Sequence, residues 1–298
     1  MKVLMKDQAQ IILQIIISVL IFRFVLFENN ILDLGLSKLY YFLFLIALGI
    51  VMYGGILLYR VVLQEEFPTK NIEKNIEKSY YIYLAVNVIG IGISFFIANA
   101  IEKTYYFGFF LTLAAIIYLY VTQWRKVLLF DNIIYSLIIT FPLFSMVLVD
   151  LMPSLNVFEH ENNAEKQQML NISLQICTLL FVLYFVKTIV IDLKFMELDI
   201  KYKRKSLATL HGREKGAKRT TYLSLLPLML IIIFCLMHTN LTYLIGYIAV
   251  AVVLPYLFYL FKLWNAQTTR DFTFTNNILN AIIWLTIFSV VVLFFNLK

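Results

Sequence analysis

Charged residues are scarce in this chain. Asp, Glu, Lys and Arg together make up 14 % of the 298 residues, whereas hydrophobic residues make up 61 %. A soluble globular domain has about 25 % charged and about 45–50 % apolar residues. A single core in water could not hide this much apolar surface, so the composition excludes a soluble protein and predicts an integral membrane protein.

Cysteine and histidine are also rare. The two cysteines, Cys177 and Cys235, lie inside apolar runs, and the three histidines, His160, His211 and His238, share no metal-binding spacing. Neither residue type therefore predicts a metal site. We interpret both cysteines as small buried hydrophobic residues.

Apolar runs dominate the rest of the chain. Nine of them are long enough to cross a hydrocarbon layer of about 30 Å. They lie near residues 9–27, 40–63, 80–100, 104–122, 132–149, 170–191, 221–237, 241–262 and 277–296. The first run follows two lysines but lacks the small residues of a cleavage site, so we interpret it as a retained helix. The pattern predicts an all-α, nine-helix polytopic membrane protein with one transmembrane domain over residues 1–298.

The positive charges predict an orientation. The N-terminus and the alternate loops, those after helices 2, 4, 6 and 8, hold 18 of the 25 Lys and Arg residues. Cytoplasmic loops carry such an excess. We therefore predict an integral protein of the cytoplasmic membrane with a cytoplasmic N-terminus, a non-cytoplasmic C-terminus and surrounding lipids as partners. The net charge of +7 is interpreted as a topology signal, and nucleic acid is not a predicted partner.

The segment 192–212, which follows the sixth run, combines acids with a dense run of bases. Asp192 and Asp199 are seven residues apart, nearly two helical turns, which puts both carboxylates on one face, and Glu197 can reach the same place. Carboxylates at this spacing suit Mg²⁺, which binds a few protein oxygens together with substrate phosphates. The alternative is a solvated basic loop with incidental acids.

The same segment resembles the second acidic motif of the UbiA superfamily of intramembrane prenyltransferases, D-x-x-D-x-x-G-D-x-x-x-G-x-x-T-L-x-x-x-x-G. The residues that match are Asp192, Asp199, Leu207 and Gly212, with Ser206 in place of Thr. The residues that depart from the motif are Phe195, Leu198 and Lys203.

A second resemblance lies between the fourth and fifth runs. Leu119-Tyr120, Arg125-Lys126 and Asn132 are similar to the family's L-Y-S-x-x-L-K-R-x-x-x-x-G-N. The basic pair of the family helps to bind diphosphate. The resemblance therefore implies this role for Arg125 and Lys126; the alternative is a pair of interface-anchoring cations.

The family's first acidic motif, N-D-x-x-D-x-x-x-D at the end of helix 2, is missing. The corresponding residues are Tyr59, Arg60, Leu63 and Phe67. Two glutamates, Glu65 and Glu66, lie within a turn of the expected acids and would substitute for them if the helix end shifts register.

Three basic residues lie within or at the end of apolar runs. Arg60 either reaches the interface or faces the cavity, where it would replace the metal or contact an anion. Lys187 adds a cation near Asp192, and Arg23 is interpreted as a snorkelling anchor.

The resemblance implies a nine-helix UbiA-like bundle that transfers a prenyl group from an allylic diphosphate to a lipid-soluble, membrane-associated acceptor, with activity degenerate or lost. It implies Mg²⁺ held by Asp192, Asp199 and Glu197, and diphosphate held by Arg125, Lys126, Lys203 and Arg204. The alternative is a non-catalytic UbiA-like scaffold that binds a lipid or a partner protein. A small secondary transporter is a weaker alternative, because no paired helix break or inverted repeat is visible in the sequence.

Overall fold

A computed structural model of the protein describes residues 2–30, 34–66, 73–152, 160–202 and 204–297. Over these residues the chain is almost entirely helical and forms no strand, which confirms the all-α prediction for this part of the chain. The helices are α1 (Lys2–Ile21), α2 (Glu28–Asn30), α3 (Lys38–Glu66), α4 (Glu73–Ala100), α5 (Tyr106–Thr122), α6 (Phe130–Leu151), α7 (His160–Lys194), α8 (Met196–Lys201), α9 (Leu207–Leu223), α10 (Leu225–Met237), α11 (Thr242–Tyr247), α12 (Leu254–Trp264) and α13 (Thr269–Leu297).

Eight helical stretches of the described residues are long and apolar enough to cross a membrane. They are Ala9–Phe27, Lys38–Glu66, Ile76–Ala100, Phe130–Leu151, Lys166–Lys194, Leu207–Met237, Thr242–Trp264 and Thr269–Asn296. The run predicted near 104–122 forms the shorter apolar helix α5, Tyr106–Thr122. The integral membrane class is thus supported by eight spans, and the count of nine, like the orientation, stays a prediction.

The largest difference from the sequence prediction lies in the segment 192–220. The apolar runs near 170–191 and 221–237 leave residues 192–220 as a connecting segment, but this segment is mostly helical in the structure: α8 follows α7 after one residue, and α9 begins at Leu207. The physical reason is local. Ser206 caps α9 and the following residues include strong helix formers such as Leu, Ala, Glu, Lys and Arg. Gly212 interrupts this helix with φ 74°, a backbone conformation that favours glycine.

The chain divides into two compact units, Met1–Leu34 with Lys126–Lys298, and Gly35–Arg125. In the first unit α7 is central, since it packs against α6, α9, α10 and α13. The prediction of a single transmembrane domain stays a prediction.

In the second unit α3 packs against α4 and α5. The approach is close at Gly54 and Gly55, where an added Cβ would lie 2.5 Å from Asn87 Nδ2 and 2.6 Å from Ile117 Cγ2. Small residues at such positions let membrane helices pack tightly.

Candidate functional site

Five polar residues of the first unit meet at one place, which we call the acidic site: Asp131, Asn132, Asp192, Asp199 and Arg204. Asp131 and Asn132 lie in the first turn of α6, Asp192 in the last turn of α7, and Asp199 in α8. Arg204 lies in the short non-helical segment before α9. The N-terminus of α6 and the C-terminus of α7 therefore lie at the same polar site.

The guanidinium of Arg204 is the centre of this site. Its Nε donates to Asp131 Oδ2 at 2.6 Å and its Nη2 pairs with the same oxygen. Its Nη1 lies 3.1 Å from Asp192 Oδ1 and 3.4 Å from Asp199 Oδ1. Three carboxylates therefore share one positive charge, and charge-assisted contacts of this kind are stronger than neutral hydrogen bonds.

The carboxylate oxygens are used unequally. Asp192 receives Arg204 at Oδ1, and its Oδ2 accepts a 2.7 Å hydrogen bond from Asn132 Nδ2. Asp199 Oδ2, by contrast, is buried and accepts no hydrogen bond from a described residue. A buried oxygen in this state is costly and calls for a ligand, a water molecule or an ion.

The backbone holds Arg204 in position. Its N–H donates to the carbonyl of Asp199 at 2.9 Å, and its carbonyl accepts from Thr209 Oγ1 at 3.3 Å. Thr209 belongs to a capping box, in which its N–H donates to Ser206 Oγ while its own hydroxyl accepts from the Ser206 N–H. This cap starts α9 and fixes the segment that carries Arg204.

Burial makes the charge balance of the site unusual. All three aspartates are buried, whereas the Arg204 side chain is 30 % exposed. Burial raises the pKa of Asp199, which lies between two membrane-spanning stretches; Arg204 opposes this effect and Asp131 adds to it. Three carboxyl groups therefore face one guanidinium, and burial favours the protonated form of Asp199.

The arrangement does not form a ready-made metal site. Within the described ranges, no group of three or more His, Cys, Asp and Glu residues could hold a metal ion. Asp131, Asp192 and Asp199 have the oxygen chemistry that Mg²⁺ prefers, but a guanidinium lies between them. The residues as placed do not fit the ion, and Mg²⁺ stays a prediction of the resemblance.

Glu197, the third predicted metal ligand, lies apart from the acidic site. Its side chain is 74 % exposed and its Oε1 lies 2.6 Å from Arg213 Nη2. The residue points to solvent because α8 presents Asp199 and Glu197, two residues apart, in different directions. Asp131 takes a place at the site that the sequence did not assign.

The predicted diphosphate ligands are divided. In the second unit Arg125 is buried, pairs with Glu66, and has its Cζ 5.4 Å from the ring centroid of Tyr59. Lys126 begins the next part of the first unit and is exposed. Arg204 belongs to the acidic site, and Lys203 lies outside the described residues. Among the three predicted ligands that the structure describes, Arg204 is the one that lies beside Asp192 and Asp199.

Arg60 is exposed in the last two turns of α3, and no ion pair joins it to a described residue. Metal replacement by Arg60 stays a prediction. The cation that the structure places between Asp192 and Asp199 is Arg204.

A second polar cluster was only partly visible in the sequence. Lys187 is fully buried, and its Nζ lies 3.5 Å from Gln14 Oε1, which also accepts from the Tyr184 hydroxyl at 3.1 Å. The Nε2 of Gln14 donates to the carbonyl of Asn280 at 3.3 Å. This network joins α1, α7 and α13. The sequence signal for this network is a glutamine, a lysine and an asparagine inside apolar runs, because polar residues within membrane helices pair with one another.

The interpretation of Arg23 as a snorkelling anchor is wrong. It is buried, not snorkelling, and its Nη1 lies 2.9 Å from Asp150 Oδ1 while its Nε lies 3.7 Å from Glu28 Oε1. Asp150 lies in the last turn of α6. The ion pair joins two membrane-spanning stretches.

No family model, no characterised protein and no solved structure matches this chain. The resemblance to the UbiA superfamily therefore depends on the sequence motifs alone and stays a prediction.

Proposed function

We propose that this protein is a UbiA-like membrane protein that binds a prenyl lipid with a diphosphate head group, and that it binds this lipid without Mg²⁺-dependent prenyl transfer. The observation that carries the proposal is the 2.7 Å hydrogen bond from Asn132 to Asp192. These residues belong to two segments, 60 positions apart, that resemble two different UbiA motifs. Their contact supports the proposal that the two segments form one site.

A diphosphate has basic residues available beside the acidic site. The stretch 192–220 contains nine Lys and Arg residues against four acids. Lys201 and Lys205 are exposed on either side of Arg204, and the Arg204 side chain is itself partly exposed. Lys is a common phosphate ligand, and Arg binds phosphate with two parallel hydrogen bonds. The apolar bundle supplies the environment for a prenyl chain.

The absence of transfer is proposed from two facts. The positions of the family's first acidic motif hold Tyr59, Arg60, Leu63 and Phe67, none of which is an oxygen-rich metal ligand. The two aspartates of the second acidic motif, Asp192 and Asp199, are in contact with the guanidinium of Arg204. A leaving diphosphate would lack the Lewis acid that the resemblance implies.

Transfer of the prenyl group to a lipid-soluble acceptor is the second candidate. Two features favour it: the buried Asp199 Oδ2 without a hydrogen bond, and the three carboxyl groups that share one guanidinium. An added cation would satisfy both.

The test is binding and turnover of prenyl diphosphates by the purified protein in lipid nanodiscs. We expect labelled prenyl diphosphate to bind, and the double variant Lys201→Gln/Lys205→Gln to bind more weakly by roughly tenfold through loss of two charges. Lys215→Gln is the matched control, because Lys215 is also exposed but lies beyond Gly212 on α9. No Mg²⁺-dependent release of diphosphate is expected.

Two results would change the conclusion. Absence of binding for every prenyl chain length would reject the proposal. Diphosphate release that requires Mg²⁺ and disappears in Asp192→Asn would establish the transferase in its place.

A further inference from the structure

Arg204 is surrounded by carboxylate oxygens in the way that a bound metal ion would be. Asp131, Asp192 and Asp199 approach it from α6, α7 and α8, with N–O distances of 2.6, 3.1 and 3.4 Å for the pairs Nε–Asp131, Nη1–Asp192 and Nη1–Asp199. We propose that Arg204 is the resident cation of the acidic site. It excludes divalent cations while it is present, and loss of its charge turns the three aspartates into a divalent-cation site.

The charges of the site support this exchange. Three buried carboxylates close to one another repel, and buried charges are stable only when they are paired. Arg204 supplies one positive charge and five donors in a fixed plane. Without it, the site would hold three carboxylates and no cation, which is the condition under which a hard divalent ion binds most favourably.

The geometry of Asp199 supplies an independent observation. Its Oδ2 is buried inside the site and accepts no hydrogen bond from a described residue, although its Oδ1 faces Arg204. A planar guanidinium cannot satisfy every oxygen of three carboxylates, whereas a small spherical ion with water ligands has no such limit. The site therefore retains a carboxylate oxygen, Asp199 Oδ2, that Arg204 does not use.

Two features exclude divalent ions: the charge of the Arg204 guanidinium repels them, and backbone contacts hold this side chain at the site. A divalent cation at this place would be a few ångströms from the guanidinium, where repulsion between like charges is strong. The backbone bond from Arg204 N–H to Asp199 and the capping box at Ser206 and Thr209 hold the arginine at the site. This inference does not depend on the proposed lipid ligand, and it explains why binding without Mg²⁺ is expected.

The experiment measures Mn²⁺ binding to the full-length protein in nanodiscs, by electron paramagnetic resonance and by the thermal midpoint. Mn²⁺ prefers the same oxygen ligands as Mg²⁺. Wild-type protein is expected to show no binding that depends on Asp192. Arg204→Gln is expected to bind Mn²⁺ at least about tenfold more tightly than the wild type, because a positive charge has left the site.

Matched variants distinguish the loss of the Arg204 charge from a general disturbance of the site. Arg204→Lys keeps the charge and is expected to stay without Mn²⁺ binding, whereas Arg204→Gln/Asp192→Asn loses a ligand and is expected to lose the binding that Arg204→Gln gained. If Arg204→Gln is unstable, Mn²⁺ should restore its thermal midpoint while leaving that of Arg204→Lys unchanged.

Wild-type binding that is abolished by Asp192→Asn would overturn the proposal. So would a failure of Mn²⁺ either to bind Arg204→Gln or to restore its stability. Neither result concerns prenyl diphosphate, so the failure of this inference and the failure of the proposed function are distinguishable.

Discussion

Each end of α6 carries an arginine–aspartate cluster, and the two clusters differ in charge balance and in exposure. Asp150 in the last turn meets Arg23, and Asp131 in the first turn meets Arg204; the two aspartates are about 28 Å apart along the helix axis at 1.5 Å per residue. The Arg23 and Asp150 side chains are 4 % and 1 % exposed, whereas Arg204 is 30 % exposed and serves three carboxylates.

The difference separates a structural ion pair from a candidate functional site. Arg23 joins two membrane-spanning stretches with little access to solvent, which suits a permanent contact. Arg204 lies on a non-helical segment, is partly accessible, and contacts three carboxylates. A surplus of carboxyl groups over cations at a partly accessible place is typical of sites that bind ions or ligands.

The largest expected effect is on the Arg23 cluster. Arg23→Gln should destabilise the protein by about 3–5 kcal/mol, because it leaves the buried Asp150 carboxylate without its guanidinium. Unfolding in a detergent titration, followed by tryptophan fluorescence, measures the loss. Arg23→Leu/Asp150→Leu is the control and should recover most of it; equal instability of both variants would contradict the account.

A smaller effect is expected from the cap that positions Arg204. Ser206→Ala removes the capping box at the start of α9 and should cost about 1 kcal/mol in the same titration. Thr273→Ala is the matched control, because the Thr273 hydroxyl donates only to the backbone of its own helix, to the Thr269 carbonyl at 2.8 Å. A Ser206 effect no larger than that of Thr273 would argue against a role of the cap.

The direct comparison of the two clusters is Asp192→Asn against Asp150→Asn. Asp192→Asn should change stability by less than about 1 kcal/mol, because the lost attraction to Arg204 is offset by relief of repulsion from Asp131 and Asp199. Asp150→Asn should cost clearly more, because Asp150 is the closest carboxylate to Arg23. Equal losses would remove the distinction between the clusters.

The smallest expected effect is a pH dependence from Asp199. Since its folded-state pKa is raised by burial, the folded protein holds this proton more tightly than the unfolded chain. Its contribution therefore favours folding at acid pH and is lost as the pH rises through the folded pKa. The thermal midpoint of Asp199→Asn should exceed that of the wild type at neutral pH, and the difference should become smaller as the pH is lowered. A difference that grows on acidification would contradict the raised pKa of Asp199.

Part of the site could be predicted from the sequence. The spacing of Asp192 and Asp199 predicts carboxylates that lie close together, and both contact Arg204, although the helix is interrupted between them at Phe195. The motif that contains Asn132 drew attention to that residue. Glu197 was assigned to the same place by proximity in sequence, although its side chain lies with Arg213 at the surface. Sequence distance along a helix does not specify which side chain points inward when the helix restarts, as it does here at Met196.

The sequence by itself determined the membrane class and most of the helices, because apolar runs of membrane length have few other stable structures and each helix satisfies its own backbone. Only the tertiary structure decided which charges meet. Arg204 and Asp131 are 73 positions apart, and Arg23 and Asp150 are 127 apart. Such pairs form because a charge inside an apolar bundle must find a partner wherever packing brings one near, and local sequence patterns do not contain that information.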